Sequence, residues 1–284
     1  MNVLVTGANG QLGNEMRLMA QNSSHHYIFT DVEELDITDF NAILQTVKEK
    51  EIQIIVNCAA YTNVDKAEND FDIANALNNI AVGRLANVAK AQNATLIHIS
   101  TDYVFNGQGK RPWEPDDKRE PLNVYGQTKY EGELAIEEHV KKFFTVRIAW
   151  VFGVNGKNFI KTMLNLGKTH DHLTVVNDQT GSPTYTYDLA RLLVDMIQTD
   201  KYGRYHATNE GGYISWCDFA KEIFRQAGMD VKVLPVSSAE YPAKAKRPTN
   251  SRLEKKKLEE HGFTRLPDWK DALGRYLKEI QQNN

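Results

Sequence analysis

A strand that runs into a glycine-rich turn and then into a helix occupies the first twenty residues of this chain, and few folds accommodate that arrangement. Residues 2–6 (NVLVT) form an apolar, β-branched run that reads as a buried strand. The chain passes at once into Gly7-Ala8-Asn9-Gly10-Gln11-Leu12-Gly13, and apolar positions then recur at helical spacing over residues 12–20. Glycines in such a turn let backbone N–H groups approach a phosphate at the helix N-terminus, where the helix dipole favours an anion. Gly7, Gly10 and Gly13 are therefore candidates for holding a phosphate.

Strands and helices should then alternate, because a parallel neighbour for the first strand needs a crossover. They do. Residues 27–30 read as the second strand, ending at Asp31, 24 residues after Gly7. A carboxylate there can accept hydrogen bonds from an adenosine ribose, and it would repel a 2′-phosphate. No arginine stands beside it in the sequence, which leans towards NADH over NADPH. Asp36, in Leu35-Asp36-Ile37, suits either the adenine edge or a cap on the helix that starts near Asp39; the sequence leaves both open. An amphipathic helix over 40–50 and a third strand over 52–57 lead into Ala59-Ala60-Tyr61-Thr62, where small residues let backbone lie against a cofactor. A long helical stretch, 73–92, carries Asn78 and Asn79, and residues 95–100 (TLIHIS) give the fourth strand. This pattern demands a parallel sheet with helices on both faces, an α/β doubly wound fold, in which ligands bind beyond the carboxyl ends of the strands. Gly7, Asp31, Ala60 and Thr101 all fall at such ends.

The segment 100–129 carries the candidate chemistry. Tyr125 and Lys129 are four residues apart, on one face of a helix that Asn123 can cap. A free phenol titrates near pH ~10; a neighbouring cation and the positive end of the helix dipole would both bring it down. The hydroxyl of Thr101, at a strand end, could hold a substrate oxygen beside that phenol. The loop 106–122, rich in glycine, proline and charge, reads as a lid or as a surface connection.

After residue 152 the texture changes to shorter elements, with no second phosphate loop. Helices are expected over 158–166, 187–199 and 216–227 and around 276–280, with strands at 173–176 and 205–208, the latter returning to the sheet. The expected division is a nucleotide-binding domain over 1–152 and a smaller α/β substrate-binding domain over 153–284, some of whose segments rejoin the sheet. The basic run Lys244, Lys246, Arg247, Arg252 suits an anionic group or is a solvated charge run. A net charge of -3 points to neither nucleic acid nor a membrane surface. Cys58 and Cys217 read as free thiols of a reducing compartment, and no apolar run is long enough to span a bilayer. A cytoplasmic location is expected, since Met1 leads straight into a strand rather than into a charged leader.

The N-terminal G-x-x-G-x-x-G, Thr101 and Tyr125-x-x-x-Lys129, in order along the whole chain, resemble the extended short-chain dehydrogenase/reductase family. That resemblance implies a Rossmann sheet and a nicotinamide cofactor. It makes Tyr125 the proton donor, has Lys129 lower its pKa and hold the nicotinamide ribose, and has Thr101 orient the reacting oxygen. Asn78 matches an asparagine that helps position the lysine. The tracts 100–105 (STDYVF), 123–126 (NVYG), 177–184 (NDQTGSPT) and 247–253 (RPTNSRL) are similar to those of the family's dTDP-4-dehydrorhamnose reductase branch. The branch implies reduction of the C4 ketone of dTDP-4-dehydrorhamnose by NADPH or NADH. Thr101, Asp102 and Trp150 would then contact the sugar, and Arg247 and Arg252 the nucleotide diphosphate. Gln11, Leu12, Asp31, Asp36, Ile37, Ala60, Tyr61 and Thr62 would line the dinucleotide. Members often accept both cofactors, so Asp31 alone does not decide between them.

Related chemistries are separable in part. A 4,6-dehydratase follows its threonine with an Asp-Glu pair, whereas Tyr103 follows Asp102 here. A 4-epimerase uses the same tyrosine and lysine and keeps its NAD bound. A non-catalytic, NADP-binding regulatory subunit would be expected to have lost Tyr125 or Lys129. Magnesium is associated with subunit assembly in this branch; Glu15 could contribute, but residues 185–188 offer tyrosines where a second glutamate is wanted. The expectation is no catalytic metal, poor provision for a structural one, a small-molecule partner, and a monomer or homodimer.

Overall fold

The computed structural model describes residues 1–241 and 243–282. Its apolar runs form six parallel strands: β1 (Asn2–Thr6), β2 (His26–Thr30), β3 (Ile54–Asn57), β4 (Thr95–Thr101), β5 (Phe143–Ile148) and, from the second half, Gly203–His206. They lie in the order β2-β1-β3-β4-β5 with Gly203–His206 outside β5. The direction of winding reverses between β1 and β3, which opens a crevice at their carboxyl ends.

The central strands are mainly apolar because both faces of the sheet are covered. Leu4, Ile55 and Leu96 pack on one side against Ile43, Val82, Leu85 and Ile136. Val3, Val5, Val56 and Ile97 pack on the other against Met16, Leu189, Leu193 and Met196. The helices of the first half are α1 (Gln11–Ala20), α2 (Phe40–Glu49), α3 (Val64–Ala67), α4 (Phe71–Asn75), α5 (Ala81–Ala91) and α6 (Val124–His139). The long stretch expected over 73–92 is α4 and α5 joined by a single π turn, Ala76–Ile80, which carries Asn78. Such turns insert one extra residue and often mark functional sites.

The second half divides its side chains between two cores. The helix Thr186–Ile197 and Leu258, Phe263 and Leu266 pack on the sheet. Phe152, Ile160, Phe219, Phe224 and Tyr276 form a separate cluster beside the parallel pair His172–Val176 and Lys232–Val236. The loop 106–122 is a packed connection rather than a free lid. Trp113 stacks on Phe105 at 4.8 Å and pairs through its backbone with Arg252 and Glu254, while Arg147 Nη1 donates to Pro115 O. Among the described residues no helix is long and apolar enough to cross a membrane.

Candidate active site

The end of β4 and the start of α6 are locked together. Thr101 caps the short turn Asp102–Val104 by accepting the Tyr103 N–H at Oγ1, 3.2 Å. Asn123 caps α6 by accepting the Gly126 N–H at 2.8 Å, which puts Tyr125 in the first turn as expected. A Cβ on Gly126 would stand 2.3 Å from Tyr103 O, so only glycine lets these turns approach so closely. Tyr125 stands beside Thr101 at the cavity wall and meets the Tyr103 ring edge-on at 5.5 Å. The Thr101 hydroxyl in turn donates to Asp102 Oδ1 at 3.1 Å.

These residues stand in a cavity of about 1000 Å³ that starts at the glycine turn. Gly7, Gly10, Gln11 and Leu12 line it, as do Asp31, Asp36, Ile37, Ala60 and Thr62. Thr101, Asp102, Tyr125, Lys129 and Trp150 line the same cavity. Gly7 is in the left-handed region at φ 63°, and a Cβ there would lie 2.6 Å from Ala59 N. Gly13 is not at the cavity wall; it allows α1 to pack on the turn, since a Cβ would meet Gly7 O at 2.5 Å. Tyr61 is also off the wall, with its N–H on Asn78 Oδ1 (2.9 Å) and its phenol on Asp70 (2.8 Å). Arg247 and Arg252 are not brought to the wall either. Arg247 forks onto Asp65 at 3.0 and 2.7 Å, and Arg252 Nη1 donates to Asn250 Oδ1.

Asp39 caps α2, so Asp36 is free of that role; it accepts from the Thr38 N–H and hydroxyl at the cavity edge. Asp31 accepts the Asn9 N–H at 2.9 Å. An arginine does stand nearby: Arg17, in the last turn of α1, lies 4.6 Å over the Phe29 ring and reaches Asn9 Oδ1 at 3.4 Å.

The lysine is placed differently from the expectation. Lys129 Nζ donates to Ile99 O at 2.6 Å and lies 3.2 Å from His98 Nε2. Burial draws its pKa down to about 8, against the opposing charge of Glu133. Burial likewise pushes the Tyr125 phenol up to about 12; the Thr101 hydroxyl works against this and the Asp102 charge adds to it. With Lys129 turned into β4, the expected lowering of the phenol does not arise from that side chain. Asn78 does not touch the lysine. It brackets Tyr61 through N–H and carbonyl and donates to Thr128 Oγ1 at 3.2 Å. Burial raises Asp102 to about 6, and its Oδ2 has no hydrogen-bond partner.

Sequence reasoning missed several participants. His98 is a polar residue in the middle of an apolar strand, on the face shared with Leu96 and Ser100, which was its available signal. Below it Ser100 donates to Glu133, which Arg147 clamps at 2.8 and 2.7 Å. Trp216 stacks on Trp150 at 3.8 Å, and both line the cavity; Trp150 itself has φ 50°, a strained conformation of the kind found at functional sites. No local pattern joins those two tryptophans.

For magnesium the donor set does not fit. Glu15 is pushed up to about 7 by burial and by Glu279, with a Thr186 hydrogen bond opposing. Tyr185 occupies Glu279 Oε2 at 2.6 Å, and among the described residues no three His, Cys, Asp or Glu side chains could hold a metal.

Residues 1–282 match the family described as RmlD substrate binding domain. The spore coat polysaccharide biosynthesis protein SpsK of Bacillus subtilis is 39% identical over 98% of this chain and 97% of its own. A dTDP-4-dehydrorhamnose reductase of Shigella flexneri is 40% identical over 99% and 98%. Among solved structures, a dTDP-4-dehydrorhamnose reductase from Clostridium acetobutylicum superposes with a TM-score of 0.96 at 45% identity, covering 99% of this chain and 100% of that one. The Bacillus anthracis reductase in complex with NADP gives 0.95 at 41%, covering 98% and 99%. A dTDP-glucose 4,6-dehydratase from Streptomyces venezuelae, at 18% identity and 0.84, shares the fold. With the match running the whole length of a Rossmann-type chain that brings Thr101, Tyr125 and Lys129 to one cavity, this protein belongs to the RmlD family of dTDP-4-dehydrorhamnose reductases.

Proposed function

We propose that this chain reduces the C4 ketone of dTDP-4-dehydro-β-L-rhamnose to dTDP-β-L-rhamnose, the last step in making that sugar nucleotide, with either NADPH or NADH. The observation that carries the reading is the meeting of Thr101, Tyr125 and Lys129 at the far end of the cavity that begins at the Gly7 turn. The turn fits a dinucleotide: Gly7 permits the close backbone approach to Ala59, and Gly10 opens α1 towards the cavity. A bound nicotinamide supplies the hydride.

The chain's own groups handle the proton and the orientation. Tyr125 keeps its proton at neutral pH and so can give it to the oxygen that becomes an alkoxide. Thr101 and Asp102 hold sugar oxygens, Asp102 through its unpartnered Oδ2. Lys129, once it leaves Ile99 O, holds the nicotinamide ribose and brings its charge towards the phenol. Residues 1–152 take the dinucleotide and 153–284 mainly the sugar nucleotide, with Arg247 released from Asp65 to meet the diphosphate. Asp31 disfavours a 2′-phosphate while Arg17 offsets that, which supports use of both cofactors. Among the described residues the cavity wall holds no glutamate beside Asp102, which counts against dehydration.

The test is oxidation of NADPH and NADH on addition of dTDP-4-dehydrorhamnose. Wild type should consume one cofactor per ketone, which an epimerase would not. Tyr125→Phe should lose about 10²–10⁴-fold in kcat. An inert wild type overturns the reading, and a fully active variant overturns the assignment of the acid.

A further inference from the structure

We propose that His98 is a positioning residue for the catalytic lysine: a buried chain from Thr6 through Asn57 fixes its ring so that Nε2–H is presented to Lys129 Nζ. The proposal rests on the reading of Tyr125 and Lys129 given above and concerns what sets the lysine's protonation and place.

The direction of each bond follows from donors that allow no choice. Asn57 Oδ1 receives the Thr6 hydroxyl at 2.7 Å and the Ala59 backbone N–H at 3.2 Å. A backbone N–H can only donate, so that atom is the carboxamide oxygen and its amide nitrogen faces His98 Nδ1 at 3.1 Å. An amide NH₂ is a donor only, so Nδ1 accepts, and the neutral ring carries its proton on Nε2. Nε2 lies 3.2 Å from Lys129 Nζ. An N–H aimed at an ammonium has no lone pair to meet, whereas aimed at a neutral amine it makes a hydrogen bond. His98 therefore favours the uncharged lysine, while Ile99 O, 2.6 Å away, holds the amine by one of its hydrogens.

The surroundings make His98 a fixed donor rather than a switch. Thr6, Asn57, His98 and Lys129 are all buried to 2% exposure or less, and burial and then the lysine charge hold the imidazole well below its usual range. From α6 the facing charges are Lys129 and Glu133, and the latter is engaged by Ser100 Oγ and by Arg147 of β5. From β1 and β3 the groups are the neutral Thr6 and Asn57. The chain starts at the residue before Gly7, so it links the phosphate turn to the lysine across three strands.

Two conservative variants separate this from a plain core role. His98→Asn keeps an acceptor where Nδ1 stands and loses the donor at Nε2; His98→Gln keeps a donor near Nε2. The Lys129 amine is titrated by ¹⁵N NMR in protein without added nucleotide, and kcat is measured against pH. His98→Asn should raise the Lys129 pKa in that titration by about one unit, while kcat at neutral pH, where an amine of pKa about 8 is already mostly charged, stays within about threefold of wild type. His98→Gln should keep the wild-type titration and stay within about threefold of its rate. If both folded variants titrate Lys129 as wild type does, or both shift it equally, the proposal is overturned. The NMR titration does not depend on the ketone substrate, so it stands even if the wild type reduces some other compound.

Discussion

Burial drives the Tyr125 phenol up to about 12 and draws the Lys129 ammonium down to about 8, so the amine gives up its proton before the phenol does. At neutral pH the phenol holds its proton and the amine is mostly charged; bringing that charge to face the phenol, which eases proton donation, requires Nζ to leave Ile99 O. Without added nucleotide, the ultraviolet difference between wild type and Tyr125→Phe should therefore show no phenolate from this residue below about pH 11. Adding NADP⁺ should bring the transition down; a phenolate near neutrality in its absence would show that Lys129 already faces the phenol. The Tyr125-x-x-x-Lys129 pair was readable because four residues on a capped helix fix a common face. The direction in which Lys129 points was not, because His98 and Ile99 set it from a strand some thirty residues earlier.

The joint between β4 and α6 depends on a buried ion pair as well as on the Gly126 approach. Burial alone would push the Glu133 carboxyl up, but Arg147, Ser100 and Arg119 overcome it and leave it at about 2. A carboxyl lowered from its ordinary 4.5 contributes stability that is complete above that pH and fades as the pH falls towards 2. Glu133→Gln should cost about 3–5 kcal/mol at neutral pH, since it leaves Arg147 buried without its partner. It should also flatten the acid side of a plot of melting temperature against pH. An acid slope equal to that of wild type would remove Glu133 from the account. The strand and helix were legible from periodicity, and so was the Asn123 cap. The π turn within the stretch 73–92 was not, because one inserted residue leaves an apolar pattern almost unchanged.

Over the whole molecule, the parallel sheet was legible because strands buried on both faces leave continuous apolar runs, as in 2–6 and 95–100. The outer placement of Gly203–His206, and the return of the helix Thr186–Ile197 to the face that also carries α1, come from contacts far apart in sequence. The same is true of Arg247, whose basic run was readable but whose fork onto Asp65 of α3 was not. If that arginine is released to the diphosphate, Arg247→Met should raise the KM for the sugar nucleotide roughly tenfold and leave the KM for NADPH unchanged. An unchanged sugar-nucleotide KM would leave it a tie between the C-terminal segment and α3. The claim that joins the sheet, the cavity and the Thr101–Tyr125–Lys129 cluster is direct hydride delivery to a sugar ketone. It is tested most directly by a single turnover of dTDP-4-dehydrorhamnose with nicotinamide cofactor deuterated at the transferable position. One deuterium per cofactor at C4 of the product sugar is the predicted result; a product without deuterium, or with it at another carbon, would contradict the account.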